Sequence, residues 1–325
     1  AFGGGSRAAG RVVTAAQAAR LVEHGKPLSV EQVELASPAD DEVLVELRFA
    51  SVNPVDRYTA EGKVAPTGPL PRTLGQEAAG FLDGAPVLVA GEGLGATRDG
   101  VFASAAVVPR KAVHPLPADV PLDAAAALGV VGLTTWRVVE LAEVGAGDRV
   151  LVLGASGGVG QSVVSYAASK GAAVWGQTGS RDKADAITAA GAKQAVVTDA
   201  AGLCDAVRDF APTVVIDPLG GDFTSSGLLA LEPRGRHVLF GTSAGPEGKI
   251  QLQQLYRRQI QLRTYAGLIA TSDERREGLA RAIEEFAAGR LRVTVGRRVP
   301  LAAVNEGFAA LGDRAVIGKV ILEVG

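Results

Sequence analysis

Val150-Leu151-Val152-Leu153-Gly154-Ala155-Ser156-Gly157-Gly158-Val159-Gly160 is an apolar run that breaks into glycines and resumes as the helical stretch 161–169. A strand that turns through glycines into a helix offers a phosphate site. Gly154 permits the tight turn, Gly157 lets backbone approach a pyrophosphate, and Gly160 lets the helix pack close to the strand. The helix N-terminus adds unpaired N–H donors and the positive end of its dipole. Ala155, Ser156, Gly157, Gly158 and Val159 are therefore expected to bind the phosphates of a dinucleotide.

Working outward, strand candidates recur at 149–153, 173–176, 194–197, 213–217, 235–240 and 259–264. Helical segments at 159–169, 183–190, 203–210 and 223–231 lie between most of them. Strands alternating with helical crossovers predict a doubly wound parallel sheet, the Rossmann arrangement. Before residue 120 the pattern differs, with short strands punctuated by Pro and Gly. In 42–50, for example, Val43, Val45, Leu47 and Phe49 alternate with Leu44, Glu46 and Arg48, which predicts one apolar face. After the last helix candidate, 272–288, strand character returns at 292–299 and 319–324. The chain thus reads as α/β, a β-rich domain (1–122 and 268–325) split around a Rossmann domain (123–267).

The end of the second parallel strand selects the cofactor, because NAD sites place an acid there for the ribose hydroxyls. Here the strand runs into Gln177-Thr178-Gly179-Ser180-Arg181-Asp182-Lys183, with no acid at its end. Ser180, Arg181 and Lys183 supply a hydroxyl and two cations for a 2′-phosphate, so NADPH is expected. Asp182 is expected to point away as the helix begins. Phe240 and Gly241 close a parallel strand at its carboxyl end, where such sheets bind ligands.

The 325 residues are 47% hydrophobic and 21% charged, with a formal net charge of −2, enough for two cores and without a basic face for nucleic acid. The lone Cys204 excludes an internal disulfide framework and a multi-cysteine zinc lobe; it reads as an inert thiol in a reduced, cytoplasmic setting. Residues 1–10 lack the apolar core of a signal peptide, and Gly or charge interrupts every apolar stretch before membrane-spanning length.

Six motifs in order carry a family resemblance: Asn53-Pro54-Val55-Asp56, Gly75-Gln76-Glu77-Ala78-Ala79-Gly80, Gly132-Leu133-Thr134-Thr135, the glycine turn, Asp217-Pro218-Leu219-Gly220-Gly221, and Gly318-Lys319-Val320. Over nearly its full length the chain resembles zinc-independent medium-chain dehydrogenases/reductases of the quinone oxidoreductase (zeta-crystallin-like) branch. The resemblance implies a GroES-like catalytic domain built from both chain ends, a cleft between domains, and a homodimer joined near 259–264. It marks Thr134 as a contact to the nicotinamide carboxamide or ribose, and Asn53 as a cleft residue beside the nicotinamide. Zinc-dependent relatives carry His where this chain has Gln76; with no cysteine in the catalytic half, and His24, His114 and His237 isolated, no metal is expected.

Without a Lewis acid, alcohol oxidation is disfavoured, whereas hydride addition to a quinone or an α,β-unsaturated carbonyl needs only hydrogen bonds to a developing oxyanion. Tyr58 is a candidate to donate to that oxygen, with Asp56 read as a helix cap and Lys319 expected to reach the cofactor from the returning tail. Enoyl-thioester reductases of similar sequence carry a tyrosine where this chain reads Gly62-Lys63-Val64-Ala65-Pro66, which points to reprotonation by water. An enoyl-thioester reductase and a non-catalytic NADPH sensor are the competing readings. Loops 62–71 and 268–272 are expected to shape the substrate pocket.

Overall fold

The computed structural model describes residues 14–64, 67–312 and 316–325. Readings that fall on residues 1–13 and on Ala65 and Pro66 lie outside the described residues. Six parallel strands, β1 (Arg149–Val152), β2 (Ala173–Thr178), β3 (Gln194–Val197), β4 (Val214–Asp217), β5 (Arg236–Leu239) and β6 (Gln261–Thr264), form one sheet in the order β3-β2-β1-β4-β5-β6. That order places a switch point at the carboxyl end of β1, where the glycine turn lies. Helices Gly158–Ser169 and Gly221–Ala230 cross over as expected, whereas the expected helix 203–210 is only Leu203–Ala206. The sheet core combines Val150, Val152, Val174 and Ile216, and Trp175 stacks on Phe210 with ring centroids 4.4 Å apart.

The remaining strands come from both sides of this unit. A seven-stranded sheet places Lys319–Glu323 between Val295–Pro300 and Glu42–Val52 and continues through Glu77–Leu82, Ala85–Ala90 and Val113–Pro115, with Ala105–Pro109 also paired to Glu42–Val52. The tail strand runs antiparallel to Glu42–Val52, pairing Val320 with Val52 and Leu322 with Ala50. Thr14–Leu21, Ser29–Leu35 and Arg72–Thr73 add a three-stranded sheet. Its first two strands, and the helix Val304–Gly312, have no counterpart in the sequence reading.

One detail of the strand at residue 42 departs from simple alternation. Its register against Glu77–Leu82 shifts between Leu47 and Phe49, a β-bulge. Val43, Val45 and Leu47 stay in the core of the mixed sheet, but Phe49 turns to the other face and packs near Ala127, Val131 and Ile321. The bulge therefore sends one aromatic ring toward the parallel-sheet side. The helix Ser272–Ala287 also packs there, since Leu279 and Ile283 join the core that holds β1. Among the described residues no helix is long and apolar enough to cross a membrane.

Candidate active site

The glycine turn is built as its spacing requires. Gly154 adopts φ +57°, and its N–H donates to the buried Gln177 Oε1 at 3.0 Å, while Gln177 Nε2 donates to Thr198 O at 2.6 Å. This amide pins the turn to the ends of β2 and β3; the sequence does not reveal it, because a strand-end glutamine has no fixed role. A Cβ on Gly160 would lie 2.5 Å from Gly154 O and 2.8 Å from Ala155 Cα. At the exposed Gly157 a Cβ would meet only Gly154 O, at 3.5 Å. The first glycine-to-helix contact is closed and the second is an open approach. Ala155 is buried, whereas Ser156, Gly158 and Val159 are half-buried around the N-terminus of a twelve-residue helix. Its first-turn N–H groups have no acceptor within the helix, so the cradle fits a dinucleotide's phosphates.

At the carboxyl end of β2 the side chains crowd differently from expectation. Ser180 Oγ donates to Asp182 Oδ1, so Asp182 turns back onto Ser180 instead of pointing away. The reason is local: residues 181–183 form a 3-10 turn with Ser180 in the preceding cap position, within reach of an acid two residues on. That hydrogen bond holds the Asp182 carboxyl below the usual range.

Asn53, Asp56, Glu77 and Lys319 meet in a buried polar cluster. Lys319 Nζ donates to Val52 O at 2.7 Å and to Asn53 Oδ1 at 2.6 Å, and lies 4.0 Å from Glu77 Oε1. Asn53 Nδ2 donates to Glu77 Oε1 at 2.8 Å and to Ser51 O at 3.3 Å. Glu77 Oε2 accepts from Val130 N–H at 2.7 Å. Asp56 Oδ2 accepts from Asn53 N–H at 2.8 Å, which caps the helix Pro54–Ala60 as expected of Asp56, whereas the Asn53 amide is engaged by Glu77 and Lys319. In the sequence Glu77 lies within a motif but carries no evident role; only the strand register brings it to Asn53.

Burial pushes Asp56 up to about 7, opposed by the Asn53 hydrogen bond and the Lys319 charge and reinforced by Glu77. Burial also raises Glu77 and lowers Lys319, each offset by the other's charge. Because Asp56 holds its proton more tightly when folded than unfolded, its contribution to stability is greatest in acid and is lost as pH rises from about 4 through about 7. Asp56→Asn keeps an acceptor for Asn53 N–H and removes that loss. Relative to wild type, the variant should gain on the order of 2–3 kcal/mol between pH 5 and pH 8, measured by urea unfolding. A gap that does not change with pH would contradict this.

The other expected residues lie on separate elements. Thr134 is half-buried in the first turn of the helix Leu133–Leu141, where it makes no cap; a π-helical turn, Leu128–Gly132, runs straight into that helix. Tyr58 is 38% exposed, with the Arg57 guanidinium 5.7 Å from its ring centre. Phe240 N–H donates to Asp217 O at 2.9 Å, and a Cβ on Gly241 would lie 2.5 Å from Pro218 O. Both therefore line the turn after β4. Asp217 shapes that turn, accepting from Leu219 and Gly220 N–H and from Thr224 Oγ1 at 2.5 Å, with His237 Nε2 at 3.0 Å. Lys319 sends its ammonium into the buried cluster, while its stem would contact a Cβ on Gly158.

A catalytic zinc ion needs three protein ligands drawn from Cys, His and carboxylates. Gln76 is half-buried, and both oxygens of the adjacent Glu77 already accept hydrogen bonds. Among the described residues no three His, Cys, Asp or Glu side chains come together to hold a metal, so these residues do not fit a zinc ion. Cys204 lies in the helix Leu203–Ala206, its thiol raised by burial and donating to Ser226 O at 3.4 Å, in keeping with an inert thiol.

The family described as zinc-binding dehydrogenase matches residues 158–285. Quinone oxidoreductase 1 of Escherichia coli is 29% identical over 324 residues, covering 92% of this chain and 97% of the relative. A zinc-type alcohol dehydrogenase-like protein of Schizosaccharomyces pombe is 30% identical over 294 residues, covering 85% of this chain and 87% of the relative. Among solved structures, the quinone oxidoreductase of Thermus thermophilus, determined also in complex with NADPH, superposes with a TM-score of 0.83 at 25% identity, covering 95% of this chain and 100% of that one. The order of the parallel sheet, the tail strand returned to the mixed sheet and these relatives together place the chain in the medium-chain dehydrogenase/reductase family of oxidoreductases, in its quinone oxidoreductase branch.

Proposed function

We propose that the chain is an NADPH-dependent reductase that passes hydride to a quinone or an α,β-unsaturated carbonyl without a metal ion. The observation that carries this reading is the pairing of an open phosphate cradle at Gly157 with a mixed-sheet site that, among the described residues, has no zinc ligand set. Bound there, reduced nicotinamide supplies the hydride. Gly157 and the helix N-terminus hold the pyrophosphate, with Ala155, Ser156, Gly158 and Val159 shaping the turn. Arg181 and Lys183 face the 2′-phosphate; Ser180 joins them when its hydroxyl leaves Asp182. Thr134, Phe240 and Gly241 flank the nicotinamide half. The relatives named above support the nicotinamide cofactor and the quinone class of acceptor.

Proton delivery in this proposal falls to water. Asn53 has both amide hydrogens engaged by Glu77 and Ser51, so it has none for the acceptor oxygen. Tyr58 faces solvent, from which it can approach a bound acceptor without holding it. We keep the expected domain boundary at 122/123. We move the second from 267/268 to near residue 290, because Leu279, Ile283 and Leu291 belong to the parallel-sheet core. A homodimer would pair the edge strand β6, where Leu262 is exposed, as are Leu252 and Tyr256 of the preceding helix Leu252–Arg257. The lone thiol suits a reducing, cytoplasmic setting.

The test is loss of reduced-nicotinamide absorbance with NADPH and with NADH against quinones, enones and enoyl thioesters. Turnover of quinones or enones with NADPH preferred is expected. Enoyl thioesters as the best acceptors would favour a biosynthetic enoyl reductase, and tight NADPH binding without turnover would favour a sensor. Faster turnover with NADH would sink the phosphate assignment, and stoichiometric zinc by metal analysis would sink the metal-free reading.

A further inference from the structure

The buried cluster joins three segments that surround the cradle. Lys319 follows Gly318, whose N–H donates to Ser156 O at 3.0 Å, and Gly318 forms an isolated bridge with Gly157. The lysine stem lies against Gly158, where a Cβ would come within 2.6 Å of Lys319 Cδ. Its ammonium reaches Asn53, and Glu77 reaches Val130 in the π-helical turn that leads into Thr134. One pair of opposite charges therefore touches the phosphate turn, the cleft asparagine and the segment before Thr134.

The same pair fixes which way round the Asn53 amide sits. Amide oxygen and nitrogen are nearly the same shape, so only their partners select an orientation. Here Lys319 can only donate and an ionised Glu77 can only accept, so Asn53 must turn Oδ1 to the lysine and Nδ2 to the glutamate. Such a pair is a poor source of stability, because desolvation of both charges offsets their attraction. Its value lies in geometry.

We infer that Glu77 and Lys319 are positioning residues: their buried pair sets the Asn53 amide and clamps the turn at residues 156–158 against the catalytic strands, so that phosphate binding and the nicotinamide half are aligned together. This rests on the proposed NADPH site and deepens it. Lys319 acts through Asn53 and the turn, with no contact of its ammonium to cofactor.

Three variants test it, each measured for NADPH dissociation constant by fluorescence titration, for kcat and KM with the best acceptor of the panel, and for melting temperature. Lys319→Met keeps the stem on Gly158 and removes the ammonium; Glu77→Gln keeps the ammonium. Both are expected to lower kcat by about 10–100-fold, the scale set by small misplacement of reacting groups. The double variant Glu77→Gln/Lys319→Met removes both buried charges together, so neither is left without its counter-charge. The new side-chain amide at position 77 accepts from Val130 N–H and donates to Asn53 Oδ1, which reverses the asparagine. It should melt near wild type and remain as slow as the single variants. If kcat recovers together with melting temperature, the pair is merely structural and the inference fails. It also fails if Lys319→Met raises only the NADPH dissociation constant, the mark of a direct phosphate contact, or if the single variants match wild type. Wild type that binds no dinucleotide would instead overturn the proposed NADPH site, a separate result.

Discussion

Gly160→Ala is expected to cost about 100-fold or more in NADPH affinity, the scale of losing two hydrogen bonds to a charged phosphate. Its Cβ would sit 2.5 Å from Gly154 O, 2.8 Å from Ala155 Cα and 3.0 Å from Ala155 C, all backbone atoms that cannot rotate away. The helix Gly158–Ser169 must then slide off β1, carrying its N–H groups out of alignment and lowering the melting temperature as well. Gly157→Ala is the companion. Gly157 has φ −77°, which alanine adopts without strain, and its Cβ meets nothing closer than 3.5 Å. That variant should fold as wild type and still bind NADPH weakly, because its methyl fills the phosphate approach. Undiminished binding by Gly157→Ala would show that the phosphates lie elsewhere.

Removing both cations at the end of β2 should have the next largest effect, and a selective one. Hydrogen bonds to charged groups contribute about 1.5–3 kcal/mol each. Arg181 is exposed and Lys183 half-buried, so the lower end applies after solvent screening. Arg181→Ala/Lys183→Ala is expected to weaken NADPH by about 100-fold and NADH hardly at all, read as the ratio of kcat/KM for the two cofactors. Asp182→Asn should move the ratio the other way, since it removes a negative charge beside the phosphate and loosens the hold on Ser180. Equal loss for both cofactors would place the two cations outside the 2′-phosphate site.

Much of the parallel sheet is legible in the sequence because its signals are local. Apolar runs of strand length, a glycine turn and amphipathic crossovers each declare themselves within a dozen residues, and β3 (Gln194–Val197) begins and ends where the pattern puts it. The same locality identifies Asp56 as a cap. What cannot be read are features made by strands that meet from distant parts of the chain. Glu77 and Lys319 lie hundreds of residues apart, and only the pairing of Val320 with Val52, together with the sheet neighbours of Glu77, brings them to one asparagine. The turn of Phe49 to the opposite face depends on a bulge against a partner strand, which alternation in one strand cannot reveal. Asp182 departs from expectation for a smaller reason: a 3-10 turn replaces the expected first turn of helix and redirects one side chain.

The place of the tail strand has a consequence for the order in which the molecule is made. Chains emerge from the ribosome N-terminus first, and domains fold as units when their residues are available. The parallel sheet has all its strands once Thr264 has emerged, and its core once Leu291 has followed. The mixed sheet cannot be completed then, because Lys319–Glu323 is an interior strand between Val295–Pro300 and Glu42–Val52, the latter made long before. Until residues 319–323 arrive, the Phe49–Val52 end of that strand lacks one partner and presents an open edge, the kind of surface that chaperones cover and that aggregates form on. The nascent protein thus carries a finished cofactor sheet beside an unfinished catalytic one, and residues 319–323 are the closing stitch.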